Sequence, residues 1–202
     1  MSTDTTALTR RSLAARVVTA LDLPGSVSGD RPRLDKYRLS GDPALLRDLA
    51  ALVADQLPPG TEALAGIELG GVPLATAMAL HTGLPWTLIR RSPGAGTAGS
   101  PLAGSPVAGR ATVVVKDMAQ SGAAISAAAA VLRESGARVT HAVVGVNWNA
   151  GLGEVLRPLG ITPITGLDLA DLRGGWRSTG RRPGVADTPG GTMGPESEEE
   201  PL

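Results

Sequence analysis

The fold is decided by one stretch of the sequence, Ala111-Thr-Val-Val-Val-Lys-Asp-Met-Ala-Gln-Ser-Gly-Ala-Ala-Ile125. Its first half is an apolar, β-branched run that ends in the charged pair Lys116 and Asp117, which is typical of a buried strand reaching the edge of a sheet. A short polar turn and a run of small residues follow, and they predict a helix from Ala123 to about Gly136. The first amides of such a helix have no acceptor within it, and the helix dipole adds partial positive charge there. The turn therefore predicts an anion site whose usual ligand is a phosphate.

Strands and helices alternate on both sides of this stretch. Upstream, the sequence predicts a helix over 42–57 with Asp42 as N-cap and Pro43 at its first position, a strand over 63–68, a helix to about His81 and a strand over 86–90. Downstream, it predicts a strand over 138–147, a helix over 153–159 and a strand over 162–165. This alternation predicts an α/β fold with a mostly parallel central sheet flanked by helices on both faces.

The two ends of the chain differ in character. Leu13, Val17 and Leu21 recur at four-residue spacing, which predicts an amphipathic helix over 7–21 and a domain spanning 1–173. Residues 174–202 are rich in Gly, Pro and Glu and bury too little apolar surface to offset their ordering entropy, so we expect a disordered tail. A partner-binding role for the acids at 198–200 is the alternative.

The composition excludes several classes of function. The formal net charge is +0 and aromatic residues make up only 2%, so neither nucleic acid nor an anionic membrane surface is an expected partner. The chain has no cysteine, which excludes disulfides, thiolate nucleophiles and cysteine metal sites, and is in keeping with a cytoplasmic location. No run approaches the roughly 18 apolar residues that a membrane span requires.

Three segments follow predicted strands and would meet at one edge of the sheet: Glu68–Val72, Arg90–Gly99 and Lys116–Ala124. In open α/β sheets, ligands bind outside the carboxyl ends of the strands. The connection over 91–109 is too long for a plain link, and long connections inside compact domains are usually lids or binding loops.

These segments carry a resemblance to a known family. Four of them fall in the order and spacing of the type I phosphoribosyltransferases, closest to the orotate phosphoribosyltransferases. They are Leu34-Asp-Lys-Tyr-Arg-Leu-Ser-Gly-Asp-Pro43, Ile67-Glu-Leu-Gly-Gly-Val-Pro-Leu-Ala75, Leu88-Ile-Arg-Arg91 and Val113-Val-Val-Lys-Asp-Met-Ala-Gln-Ser-Gly122. The resemblance covers about 34–172. It implies phosphoribosyl pyrophosphate and a heterocyclic base as substrates, with pyrophosphate leaving through a transition state of cationic ribose character.

The resemblance also implies roles for individual residues. Asp117 would hold a ribose hydroxyl and stabilise the developing positive charge, and Arg91–Gly99 would close over the leaving group. The family implies a magnesium ion, for which no protein ligand is assigned, and a homodimer in which one subunit's loop reaches over its neighbour's site. The residues expected to bind substrate are Gln120, Ser121, Gly122, Ala123 and Ala124 at the 5′-phosphate, Glu68, Gly70 and Gly71 at the pyrophosphate, and Lys116, Arg90, Arg91 and Trp148.

The sequence departs from the family at four places. Lys116 stands where the family has the first of two acids, and the Gln120–Ala123 turn lacks one of the family's hydroxyls. No basic residue lies in 94–98, where the family's loop carries a lysine. Asn147 and Trp148 replace an Asp-Arg pair whose arginine grips the orotate carboxylate, so an uncharged base that stacks on Trp148 is expected.

Simpler explanations stay open at several of these positions. The alternative for Asp117 is a helix cap, for Lys116, Arg90 and Arg91 it is a surface charge, and for Trp148 it is a core or interface residue. Two functions therefore remain. One is a diverged phosphoribosyltransferase acting on orotate or another nitrogen heterocycle, and the other is a non-catalytic protein that senses a phosphoribosyl compound or a nucleotide.

Overall fold

A computed structural model describes residues 2–28, 31–34, 37–91, 100–148 and 150–179. Their helices and strands, in chain order, are α1 (Ser2–Leu21), β1 (Asp22–Ser28), β2 (Arg31–Leu34), α2 (Tyr37–Gly41), α3 (Pro43–Ala54), β3 (Ala63–Ile67), α4 (Gly71–Thr82), β4 (Trp86–Ile89), β5 (Leu102–Gly104), β6 (Thr112–Ala119), α5 (Ala123–Glu134), β7 (His141–Asn147), α6 (Leu152–Leu156), β8 (Thr162–Leu167) and α7 (Leu169–Thr179). None of the helices described is long and apolar enough to cross a membrane.

The central sheet has the order β5-β4-β3-β6-β7-β8. Strands β4, β3, β6, β7 and β8 run parallel, and β5 alone pairs antiparallel, with β4. Because β3 and β6 lie in the middle, the segments that follow them meet at one edge, flanked by the segments that follow β4 and β7. The predicted α/β class with a mostly parallel sheet is confirmed.

Helices cover both faces of the sheet, as continuous apolar strands require. On one face α1, α3, α4 and α7 bury an apolar cluster that includes Leu49, Leu74 and Trp176. On the other face α5 and α6 bury a second cluster around Ile125, Leu132 and Leu156.

Two features predicted for helices are confirmed, the N-cap of α3 and the apolar stripe of α1. The carboxylate of Asp42 accepts hydrogen bonds from the amides of Ala44 and Leu45, at 2.9 and 3.0 Å, so it caps α3 as the sequence predicts. The apolar stripe of α1 is confirmed as well, because Leu13, Val17 and Leu21 are all buried. The helix itself begins earlier than predicted, at Ser2.

The structure differs from the sequence prediction at the other end of the domain. Residues 169–179 form α7, which passes the predicted boundary at 173. The Arg-Gly-Gly run at 173–175 resembles a loop, but Leu172 and Trp176 are buried against α1, and this packing outweighs the low helix propensity of glycine. The predicted tail beyond Thr179 lies outside the described residues. Strand β5 and the β1–β2 hairpin were not predicted.

Candidate functional site

The turn between β6 and α5 is open at the end of the sheet. The side chains of Gln120, Ser121 and Ala123 are exposed, and Gly122 has a φ of 85°, a conformation that side chains other than glycine rarely adopt. Among the described residues, the amide of Ala123 donates to the hydroxyl of Ser121 at 3.4 Å, a long hydrogen bond. The geometry therefore presents main-chain donors at the N-terminus of a 12-residue helix, as an oxyanion requires.

Helix α6, which packs on the same face of the sheet as α5, supports this turn. A Cβ added at Gly122 would lie 3.1 Å from Leu152 and 3.3 Å from Val155. Glycine is thus required at this position for two reasons, the positive φ and the contact with α6. The turn is held between the strand, α5 and α6, which fixes the direction of its amides.

Asp117 lies near the carboxyl end of β6 and is buried, with only 5% of its surface exposed. Its Oδ2 oxygen is buried and has no hydrogen-bond partner among the described residues. The hydrogen bonds described at the start of α5 do not include Asp117, so the structure does not support the alternative that it caps this helix. A buried carboxylate oxygen without a partner costs free energy, and such atoms call for a functional explanation.

The loop after β3 runs directly against this carboxylate. A Cβ at Gly70 would lie 1.8 Å from Oδ2 of Asp117, and a Cβ at Gly71 would lie 2.5 Å from the carbonyl oxygen of Val115. At both glycines the backbone of this loop is therefore in close contact with β6, and the predicted binding of pyrophosphate by this loop stays a prediction. The peptide bond between Glu68 and Leu69 is cis.

Glu68 joins this loop to the end of β4. Its amide donates to the carbonyl of Ile89, and its carboxylate accepts the amide of Arg91, both at 3.0 Å. Arg90 donates its own amide to Pro101 at 2.8 Å, while its side-chain Nε is buried without a partner in the described part of the chain. Glu68, Arg90 and Arg91 thus lie together at one edge of the sheet. The predicted lid residues 92–99, including Gly94, lie outside the described residues.

Trp148 lies beside the phosphate turn, since its amide donates to the carbonyl of Ala119 at 3.0 Å. Its ring packs against Trp176 of α7, with the ring centroids 5.8 Å apart and the planes tilted by 49°. The indole Nε1 is buried and has no partner among the described residues. Trp148 is therefore part of the apolar packing, the alternative that the sequence left open, and its predicted stacking on a base stays a prediction.

A cavity that the sequence does not predict lies at the carboxyl ends of β7 and β8. It has a volume of about 620 Å³ and adjoins a second cavity of about 540 Å³ between α1 and α7. The sequence signal for it is two arginines four residues apart, Arg173 at the predicted end of the domain and Arg177 in the predicted tail. The polar residues that line the larger cavity are Asn147, Thr165, Asp168, Arg173 and Arg177.

Comparison with known proteins assigns the chain to a family. No family model matches the sequence. It is 36% identical to the orotate phosphoribosyltransferase of Halobacterium salinarum over 141 residues, which cover 68% of this chain and 80% of that protein. It is 33% identical to the orotate phosphoribosyltransferase of Nocardioides sp. over 138 residues, which cover 68% and 77%.

Solved structures agree with this assignment. The orotate phosphoribosyltransferase of Aeropyrum pernix is 27% identical, with a TM-score of 0.64 and coverage of 85% of this chain and 99% of that one. The enzyme of Mycobacterium tuberculosis in complex with inorganic phosphate shares the fold at 22% identity, with a TM-score of 0.72 and coverage of 82% and 98%. The chain therefore belongs to the type I phosphoribosyltransferase family, among the orotate phosphoribosyltransferases.

Proposed function

We propose that this protein transfers ribose 5-phosphate from phosphoribosyl pyrophosphate to a ring nitrogen of orotate or of another nitrogen heterocycle. One observation carries the proposal. Among the described residues, the buried side-chain atoms without a hydrogen-bond partner belong to Arg90, Asp117 and Trp148. All three are residues for which the sequence predicts a role at the substrate site. Leaving such groups unpaired costs roughly 1–3 kcal/mol each, a cost that a bound substrate would offset.

The phosphate end of the substrate would occupy the turn from Gln120 to Ala124. The amides there have no acceptor inside the helix, and the dipole of α5 favours a dianion at this position. The exposed hydroxyl of Ser121 adds a donor of its own. A phosphate bound here fixes the ribose beside the end of β6, where Asp117 lies.

Asp117 would act on the ribose. Its unpartnered Oδ2 accepts a hydrogen bond from a ribose hydroxyl, and its negative charge stabilises the positive charge that develops on the sugar ring. In the reaction the bond between C1′ and the diphosphate oxygen breaks, and its electron pair leaves with the pyrophosphate. The base nitrogen supplies the pair that forms the new bond to C1′ and loses its proton, so atoms and charge balance.

The diphosphate would lie between the loop after β3 and the end of β4. Glu68 fixes the relative position of these two segments through the amide of Arg91, and the unpartnered Nε of Arg90 offers a guanidinium donor. Lys116 brings a further cation to the end of β6, where the family has an acid. Cations at this edge favour the negative charge that collects on the leaving pyrophosphate.

Whether the site suits a magnesium ion depends on the oxygen ligands that its residues offer. The described residues include no group of three His, Asp or Glu side chains that could hold an ion on their own. Mg²⁺ at phosphate-transfer sites usually takes one or two carboxylates together with substrate oxygens, and Asp117 offers one buried carboxylate oxygen. The site therefore fits an ion that would arrive with the diphosphate and be held chiefly by substrate oxygens, while the negative charge of Asp117 would favour the ion and its Oδ2 would remain with the ribose hydroxyl. Such an ion would neutralise charge on the leaving group.

The proposal is tested by following pyrophosphate release from phosphoribosyl pyrophosphate with magnesium and a panel of bases that includes orotate, uracil and purines. We expect release with at least one base, and a loss of about 10²–10³-fold in kcat for Asp117→Asn. No release with any base, together with calorimetric binding of the phosphoribosyl compound, would establish the sensor hypothesis instead. The comparisons do not favour that hypothesis.

We also propose the homodimer and the cytoplasmic location that the sequence leads us to expect. The support for the dimer is the resemblance, and the exposed Leu80 of α4, with 85% of its surface accessible, offers an apolar contact on the outer surface. Sedimentation equilibrium measures the mass directly. A mass of one chain at micromolar concentration would contradict the dimer.

A further inference from the structure

The base site needs a cation if the base is orotate, because orotate carries a carboxylate. Trp148, at the end of β7, has no charge, and its ring is packed against Trp176. Among the described residues at the carboxyl ends of β7 and β8, the cations that line the cavity are Arg173 and Arg177 of α7. They are four residues apart and so lie on one face of the helix.

Asp168 lines the same cavity as these arginines, and among the described residues neither it nor Asp171 forms an ion pair with them. Asp171 forms an ion pair with Arg10 at 2.7 Å, and the Oδ1 oxygen of Asp168 accepts the amides of Ala170 and Asp171 as the cap of α7. Among the described residues, neither Arg173 nor Arg177 forms an ion pair. Their guanidinium groups are therefore available to an anion in the cavity.

The cavity is next to the phosphate turn. Asn147, which lines it, pairs with Ala119 in the sheet, and the turn begins at the following residue, Gln120. The turn and the cavity therefore lie at the ends of neighbouring strands. A base attached to a ribose whose phosphate is bound at the turn would lie near the cavity. Its volume of about 620 Å³ is sufficient for a pyrimidine ring and its carboxylate.

We propose that Arg173, supported by Arg177 one turn later, binds the carboxylate of the base and determines the specificity of this enzyme for orotate. This inference rests on the proposed function and names the base. The planar guanidinium forms two parallel hydrogen bonds with a carboxylate, which a base without that group cannot use. The charge absent at Trp148 is thereby supplied from α7.

The test compares orotate with uracil, which lacks the carboxylate, in steady-state kinetics of the full chain with phosphoribosyl pyrophosphate saturating. For Arg173→Gln we expect kcat/KM for orotate to fall by about 10- to 100-fold, as the loss of a charged hydrogen-bonded pair predicts. The values for uracil and the KM for phosphoribosyl pyrophosphate should not change. Arg173→Lys keeps the positive charge but loses the pair of parallel hydrogen bonds, and it should give an intermediate loss of kcat/KM for orotate.

Arg11→Gln is the matched control, because it removes an arginine that lines the smaller cavity between α1 and α7 and does not line the larger one. It should leave both bases unaffected. An equal loss for orotate and uracil, a change confined to phosphoribosyl pyrophosphate, or no change with orotate in Arg173→Gln would each overturn the proposal. Turnover of uracil or a purine without turnover of orotate would also overturn it, while the proposed transferase activity would stand.

A binding measurement separates the two proposals if no base is turned over. Orotate is titrated by calorimetry into the protein with phosphoribosyl pyrophosphate and magnesium present. Binding by the wild-type protein that is lost in Arg173→Gln would support the carboxylate site even though the proposed activity had failed. Absence of orotate binding, or equal binding by the wild-type protein and the variant, would overturn it.

Discussion

The buried carboxylate of Asp117 couples stability and function at the scale of one residue. Because Oδ2 has no partner in the described structure, replacing the charge should not cost stability. We expect Asp117→Asn to keep or raise the melting temperature while it removes activity, a combination typical of functional sites. Thermal unfolding and pyrophosphate release on the same preparation check this. A marked fall in melting temperature would indicate that Asp117 has a structural role.

Gly70 provides a second prediction at this scale. A Cβ there would lie 1.8 Å from Oδ2 of Asp117, so Gly70→Ala must displace either the loop or the carboxylate. We expect a loss of about 1–3 kcal/mol in the free energy of unfolding, together with loss of activity. Gly41→Ala is the matched control, because a Cβ there meets no atom within 4 Å. Equal denaturation midpoints for the two variants would contradict the close approach.

At the scale of single elements, adjacent glycines test how α7 docks on α1. A Cβ at Gly174 meets nothing within 4 Å, whereas a Cβ at Gly175 would lie 2.8 Å from the carbonyl oxygen of Ala14. We expect Gly174→Ala to stabilise the protein by about 0.5–1 kcal/mol, through helix propensity, and Gly175→Ala to destabilise it by about 1–3 kcal/mol. Urea denaturation measures both. Effects of the same sign would mean that α7 is not packed on α1 as described.

The ion pair between Arg16 of α1 and Asp48 of α3 stabilises the protein in a pH-dependent way. Arg16 donates to Asp48 at 2.5 Å, and this hydrogen bond holds the pKa of Asp48 below its ordinary value of 3.8. A lowered folded-state pKa stabilises the protein above the unfolded pKa, and the contribution is lost as the pH falls through the folded pKa. Because the pair is partly exposed, Asp48→Asn should cost at most about 1 kcal/mol at neutral pH. The difference from wild type should shrink as the pH falls below 3.8 and through the folded-state pKa; a difference that stays constant over that range would contradict the assignment.

Local sequence signals predict some helices and strands and miss others. The parallel strands of the sheet, the cap of α3 and the start of α5 were predicted because their signals are local: apolar runs, Asp42-Pro43 and Ser121-Gly122. Helix α7 was missed because Gly174 and Gly175 resemble a loop, and only the contact of Gly175 with Ala14 explains why a small residue is required. Strand β5 was missed because it depends on its pairing with β4.

At the scale of the whole molecule, the site is assembled from segments distant in sequence. The phosphate turn was predicted because it is one continuous segment, and a binding role for the loop after β3 was predicted only from the family resemblance. That Gly70 lies against Asp117, and that Trp148 packs on Trp176, depends on the order of strands in the sheet. The arginines of α7 were missed for the same reason, since the topology brings them to the ends of β7 and β8.

The most direct test of the whole interpretation is a titration of the isotopically labelled protein with ribose 5-phosphate, followed by NMR of the backbone amides. If the turn after β6 binds the phosphate through its main chain, the amide signals of Gly122, Ala123 and Ala124 should shift with one shared saturation curve. Saturable binding that leaves these amides unchanged, or no binding of the phosphorylated sugar, would contradict the assignment of this turn as the phosphate site.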